Sequence, residues 1–511
     1  MDRITTFCKS KAFIYIMLFL LSLFFASSCN DYDYDLYARF IVGENFFDKG
    51  VFNYNDFLSY TPTHKWYDHE YGASLIYYLF FKYLGIFGIV LIQAITLFLT
   101  AFFITKTQSI QKHAYPVTLS LMSVFLLIYS HQNPSLIRCH MMSFVFFALF
   151  LYILEKTRIW EINGEKTNII WLIPPLVILW NNLHGGVVSG IGIIAIYMFG
   201  ALISRQNWQK YLSVFVISIP LLAINPYGAE YLNFLLSANT KSRVMITEWW
   251  DVFANRHILY YYPLFITGAF VVLLNILNFL NKKRFNLTKF LVLVTTLYLG
   301  MIHVKLLSLP MIVVFSLYHN EIMSIFDRKK IKILEKLVMI VLFVLAFCIP
   351  LNHPNTARTD MNKFPVKEVE FLKINNIKGN LLTEFGLGSY VSYKLYPDNL
   401  IYMDGRYEEV YSDEVFDELM NFEKDKKEWD LVLKKYPTEI ILLNKSTPVY
   451  KKLIKFKEWV NIYDGNNYAI FIKKENARKN YIMPSDDINY YRKNEFLNKG
   501  YFGKTNIGTK K

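Results

Sequence analysis

Charge is what this sequence has least of. Asp, Glu, Lys and Arg make up 19% of its 511 residues, against roughly 25% in ordinary soluble domains. The shortage is patterned. Apolar runs lie at about 12–29, 86–105, 115–131, 140–155, 169–183, 187–204, 211–224, 258–279, 289–304, 306–319 and 335–351. A soluble fold has no need of so many, whereas a bilayer requires about 20 mostly apolar residues for each helical span. Cysteine is scarce as well. Cys8, Cys29, Cys139 and Cys348 are far apart and form no CxxC pair, which excludes a disulfide scaffold and a cysteine metal site. There is no Gly-rich phosphate loop and no internal repeat, so neither a nucleotide-binding loop nor the duplicated halves of many secondary transporters is indicated.

What is abundant is apolar and aromatic. Hydrophobic residues reach 54%, with 43 Phe and 37 Tyr. The net charge of +14 invites a nucleic-acid reading, but many of the cations sit in short loops between apolar runs, where they set topology instead. With the N-terminus inside, the inside loops hold 19 Lys and Arg and the outside loops 8. That asymmetry predicts a multi-pass protein of the cytoplasmic (inner) membrane, with about eleven spans, a cytoplasmic N-terminus and an extracytoplasmic C-terminal domain. The run Phe25-Ala26-Ser27-Ser28-Cys29 looks like a lipoprotein cleavage site; an uncleaved anchor is preferred, because ten further spans follow.

The expected organisation is a transmembrane domain over 1–351 with an outer loop at 30–72, a linker at 352–365, an α/β domain at 366–473 and a polar basic tail at 474–511, disordered in part. Short strands are expected at Leu381–Phe385, Leu400–Met403, Glu439–Leu443, Trp459–Tyr463 and Tyr468–Ile472, with helices at 366–375, 412–434 and 447–456. Asp464-Gly465-Asn466-Asn467 should join the last two strands as an antiparallel hairpin.

The ionisable groups near membrane depth mark the chemistry, since they are costly there. The first outer loop opens with Asp31, Asp33 and Asp35 at alternate positions, carboxylates that raise one another's pKa unless a cation or hydrogen bonds hold them. It continues with Asp56, Trp66, Asp68, His69 and Glu70. Arg138, His140, His184, Glu248, His303 and Lys305 fall in other loops assigned to the same side. Taken one at a time, each is more simply an interfacial anchor or a solvated acid. Together, acids and cations at one face suit a lipid-phosphate substrate: Arg and Lys hold phosphate, and a carboxylate takes a proton from an attacking hydroxyl.

These residues resemble a family. Asp33-x-Asp35, Gly43, Asp56-x-x-Ser59-Tyr60-Thr61, Trp66 and His69-Glu70 are similar to the first-loop pattern of bacterial GT-C superfamily membrane glycosyltransferases. The likeness continues through Asn182-x-His184-Gly185-Gly186, Asn225-Pro226-x-Gly228, Glu248-Trp249, Gly386-x-Gly388-Ser389-Tyr390 and Asp404-Gly405-Arg406, nearly the whole chain. It departs from the pattern at Ala38-Arg39, Tyr71-Gly72, Cys139 and Lys305. The resemblance implies a GT-C-like helical fold. It also implies inverting transfer of a sugar from a polyprenyl-phosphate-linked donor lipid to a glycan, lipid or protein acceptor of the cell envelope. Asp35 is then the general base, with Asp33 supporting it or helping to hold a divalent cation. Arg138 and Lys305 face the donor phosphate, and Asp56, His69, Glu70, His184, Glu248 and His303 contact sugar or acceptor. The competing readings are a glycolipid transporter or flippase-like protein, and a non-catalytic membrane protein of the same fold.

Overall fold

The computed structural model describes residues 11–27, 31–111, 136–240, 243, 246–254, 258–280, 285–323, 362–487 and 490–491. The expected spans at 115–131 and 335–351, together with Cys8, Cys29, Cys348, most of the linker and the end of the tail, lie outside the described residues. The chain divides into two compact units. One holds residues 1–29 and 86–357, the other 30–85 and 358–511.

The first unit is helical. Nine of the expected apolar runs are helices, among them Lys11–Ser27, Met141–Ile162, Ile173–Leu183, Val187–Ile203, Trp208–Leu221, Ile258–Leu280, Leu287–Ile302 and Ser308–Leu317. Pro174 and Pro175 open one of them, where no backbone N–H is needed. The Asn286 side chain caps another by accepting the Lys289 N–H at 3.0 Å. Trp180, Phe150, Ile194 and Val292 lie fully buried between the helices. The outer faces are apolar too: Phe199 is 53% exposed, Ile203 63%, Ile266 67% and Leu280 68%. Apolar surface on this scale fits lipid as the solvent. By length and composition, one described helix, Tyr71–Ile110, suffices to cross a membrane, and the other apolar helices are shorter. That helix is broken at Gly85, whose φ of 60° and ψ of −140° are open only to glycine. The break falls at the border of the two units.

Charge inside the helical unit is paired. Glu155, fully buried, receives two hydrogen bonds from Arg158, at 2.8 and 2.6 Å, and one from the Tyr197 hydroxyl at 3.1 Å. A buried carboxylate is tolerable only with such partners.

The second unit is α/β. Its sheet orders β1 (Leu381–Thr383), β2 (Ile440–Asn444), β4 (Tyr468–Lys473) and β3 (Trp459–Asp464) as β1-β2-β4-β3. β1 and β2 are parallel, and the β3–β4 hairpin is antiparallel. Leu381, Ile441, Leu442 and Ile470 are buried with no exposed surface, each worth about 1.5–3 kcal/mol. The segment Leu400–Met403, expected as a strand, makes isolated bridges through Ile401, to Leu381 on one side and to Ser59 on the other. The first loop is thereby stitched onto the sheet: the Tyr60 N–H donates to the Ile401 carbonyl at 3.0 Å, and the Ile401 N–H to Leu58 at 2.9 Å. The helix Leu36–Lys49 packs on the helix Gly388–Leu395 through Tyr37 and Tyr390, ring centroids 5.0 Å apart. Residues 30–85 thus group with the C-terminal segment. The helix expected over 412–434 is two helices, Asp413–Glu423 and Leu431–Lys435, with Asp425 and Glu428 at positive φ between them.

Candidate active site

In the α/β unit two arginines organise the acids. Arg406 is buried, its Nε 2.9 and 3.0 Å from the two Asp404 oxygens, and its Nη1 bonds the Asp56 carboxylate. Its guanidinium lies 4.6 Å from the Trp66 ring centroid, a cation–π contact strengthened by the lack of water. Asp56 also accepts the Leu58 and Ser59 N–H groups at 3.2 and 3.0 Å. Burial pushes the Asp56 carboxyl up, but Arg406 and these hydrogen bonds outweigh it and hold the group below the ordinary carboxylate range. Burial wins at Asp404, which stands above its usual value despite Arg406. Asp56 is therefore a tie between the loop and the C-terminal segment.

Arg39, one of the departures from the family pattern, is the second hub. Its side chain is 4% exposed and contacts Asp68, Glu70 at 3.0 Å and Glu409 at 3.4 Å. Glu409 further takes the Trp66 indole N–H at 2.8 Å and lies 2.7 Å from His69 Nδ1. Burial raises Asp68 to about 6, with Arg39 only partly offsetting it. Burial would also raise Glu409, but Arg39 and His69 bring it below its usual value. His69 and Glu70 keep the partly exposed side of this cluster, at 25% and 16% side-chain exposure.

Asp33 is buried. Asp35 precedes the helix Leu36–Lys49 at the N-cap position, but its side chain makes no capping bond. Its carboxylate lies instead in the space that a Cβ on Gly405 would fill. The first-loop acids and the Asp404-Gly405-Arg406 turn therefore meet. Asp56, Asp68, Asp404 and Glu409 are matched to guanidinium groups. The carboxylate oxygens of Asp33 and Asp35 are donors of the kind that suits a hard divalent cation.

The helical unit holds a separate group. Glu248 bonds Arg138 and lies 3.6 Å from the Lys305 ammonium. Next to it, the Trp249 ring carries the Arg243 guanidinium at 4.1 Å and Lys305 at 5.3 Å. His303 Nδ1 donates to the Trp249 carbonyl at 2.9 Å. Backbone bonds pin the two loops together, from Val252 N–H to the Met301 carbonyl and from Val304 N–H to that of Trp250. Three cations and one carboxylate thus gather in this group. Sequence reasoning gave Arg138, Lys305, Glu248 and His303 and missed Arg243. Its signal was there: an arginine five residues before Glu248 in the same loop between apolar runs.

His184 belongs to a third arrangement. The Gly186 N–H donates to its Nδ1 at 2.8 Å, and the Ser143 hydroxyl, itself taking the Trp180 N–H at 2.8 Å, lies 2.8 Å from the same nitrogen. Two donors on Nδ1 leave the proton on Nε2, so His184 presents a fixed N–H donor. Asn181, Asn182 and Asn225 bind backbone carbonyls at helix ends; the amide motifs are local structure.

The fold is one that the chain shares with solved sugar-transferring enzymes. In particular, the chain is similar to the archaeal oligosaccharyltransferase AglB from Archaeoglobus fulgidus, solved with an inhibitory peptide and a dolichol-phosphate. The TM-score is 0.57 at 10% identity, covering 94% of this chain and 77% of that one. The apo form of the A. fulgidus oligosaccharyltransferase matches with a TM-score of 0.56 at 9% identity, over 95% and 78% of the two chains. The arabinofuranosyltransferase AftD from Mycobacteria matches at 0.50 and 11% identity, over 92% of this chain and 40% of AftD. No protein-family model and no curated protein matches the chain. At these identities the likeness is one of fold.

Proposed function

We propose that this chain is a glycosyltransferase of the cytoplasmic membrane. It moves a sugar from a polyprenyl-phosphate-linked donor to an acceptor hydroxyl at the outer face, with eleven spans and the α/β unit outside. The observation that carries the reading is the seat of Glu248. Arg138 and Lys305, the cations expected to face a donor phosphate, converge on one carboxylate. Groups that hold one anionic oxygen pair suit another. AglB, of the same fold, was solved with dolichol-phosphate.

In the reaction, the acceptor oxygen attacks the anomeric carbon as the carbon–oxygen bond to phosphate breaks. The bonding pair leaves with the polyprenyl phosphate, and the hydroxyl proton passes to Asp35. One displacement inverts the anomeric centre. Arg138 and Lys305 stabilise the charge that grows on the leaving phosphate, an electrostatic role fixed in advance. Asp33 supports Asp35, and the pair would hold a divalent cation if one is used; such an ion would supply further positive charge. His184, with its Nε2–H donor, and His69, Glu70 and His303 contact sugar or acceptor.

The test is chemical. Lipid-linked sugars are measured by mass spectrometry in cells carrying Asp35→Asn at normal expression. Accumulation of the donor, as in a deletion strain, is expected. Unchanged donor and product levels would remove the base assignment.

A further inference from the structure

The α/β unit contains a cleft of about 390 Å³ that none of the acids discussed above lines; its walls come from residues 376–378, 439–440, 472, 476, 478 and 481. The volume is in the range of small-ligand sites. Its shape comes from the chain path. The helix Val366–Ile374 ends at Asn375, and Asn376 turns with φ 50°, a conformation Asn tolerates better than most residues. Gly379 follows at φ 134°, and where its Cβ would be, the Glu439 side chain sits. Glu439 is fixed there by the Asn380 N–H, 2.9 Å from Oε2.

The opposite wall is the extended segment after β4, which lies against the end of that helix. The Asn375 amide exchanges two 2.8 Å hydrogen bonds with the Ile482 backbone. Arg478 donates from Nη1 to the Asn375 carbonyl at 3.0 Å, and its N–H donates to the Tyr481 hydroxyl at 2.8 Å. The Tyr481 ring lies 5.5 Å from that of Phe371. These bonds set the cleft wall in place before any ligand arrives, which lowers the ordering cost of binding.

The lining is mixed in a specific way. Asn376 and Asn476 each bring a donor and an acceptor on one plane, Arg478 and Lys378 bring donors, Lys378 shared with Asp398 at 3.0 Å, and Glu439 accepts. Ile377, Ile440 and Ile472 add apolar surface, and Tyr481 an aromatic ring. A saccharide matches the set: its hydroxyls both donate and accept, and its C–H faces suit the apolar groups. We infer that this cleft binds a short saccharide. As the seat of a glycan acceptor it rests on the proposed transferase function; as a saccharide site it does not.

The experiment uses the full chain in lipid nanodiscs, without donor. Saturation-transfer NMR is recorded with D-galactose, N-acetyl-D-glucosamine and D-galacturonate, and inorganic phosphate is titrated separately. Saturable transfer to at least one sugar is expected, weakened about tenfold by Arg478→Ala and also by Asn476→Ala, an exposed position where the fold is not at stake. Thermal unfolding identifies any variant that fails to fold. The inference is overturned if no sugar shows transfer, if both folded variants bind like the wild type, or if only phosphate binds. Sugar binding retained alongside unimpaired donor turnover by Asp35→Asn would overturn the catalytic reading and leave the cleft standing.

Discussion

The Asp35 carboxylate occupies the space beside Gly405 that any other residue's Cβ would claim. The acid proposed as general base thus lies against a glycine 370 residues further along the chain. Gly405→Ala should displace Asp35 and lower transfer at least tenfold, at a stability cost of about 1–3 kcal/mol, the usual range for overpacking. Donor turnover and thermal unfolding measured together check both. Full turnover in a folded Gly405→Ala protein would show that the contact does not set the position of Asp35.

Glu248 stands where a phosphate is expected. Glu248→Gln removes a negative charge from beside Arg138 and Lys305, so undecaprenyl phosphate should bind several-fold tighter, with a steeper salt dependence. Weaker binding would mean that Glu248 organises the cations and does not stand in for the ligand.

Arg406 bonds both Asp56 and Asp404 without water. Arg406→Met leaves two buried carboxylates facing each other and should cost about 3–5 kcal/mol. Arg406→Lys keeps the charge but loses the fork and the stacking on Trp66, and should still destabilise. Protease sensitivity of the 366–473 region is the readout, and a resistant Arg406→Met protein would contradict the account.

The α/β unit should respond to pH. Burial raises Glu368 and Glu423 to about 7 and Asp68 to about 6. In the unfolded chain these groups lose their protons at ordinary, lower values. Between the two ranges the folded state binds more protons, and stability falls as pH rises from about 4.5 to 7. Asp56 and Glu409, held below their usual values, act in the opposite sense and withdraw stability as pH drops below about 4. The unit should unfold at a lower temperature at pH 8 than at pH 5, and Glu368→Gln with Glu423→Gln should flatten the difference. A pH-independent midpoint would refute it.

Helices such as Val187–Ile203 were legible in the sequence because an apolar run is a local signal. The strand-forming segments at 440–444 and 468–473 likewise announce themselves by their own composition. The sites were legible only in part. Asp33, Asp35, Arg138 and Lys305 could be singled out as charges in improbable places. That Arg39 gathers Asp68, Glu70 and Glu409, or that Arg406 reaches Asp56, could not, because the partners lie up to 370 residues apart and no periodicity links them. For the same reason the first loop read as a connection between spans, although its backbone bonds run to Ile401.

The α/β unit is written in two pieces, 30–85 and 358–511, with residues 86–357 of the helical unit between them. During synthesis, Asp56 emerges 350 residues before Arg406. At about 5–20 residues per second the wait is on the order of 20–70 s. Throughout that interval Asp56 waits without Arg406, and a ribosome that stops between residues 358 and 405 releases a chain that has the helical unit's sequence but not the guanidinium that holds Asp56.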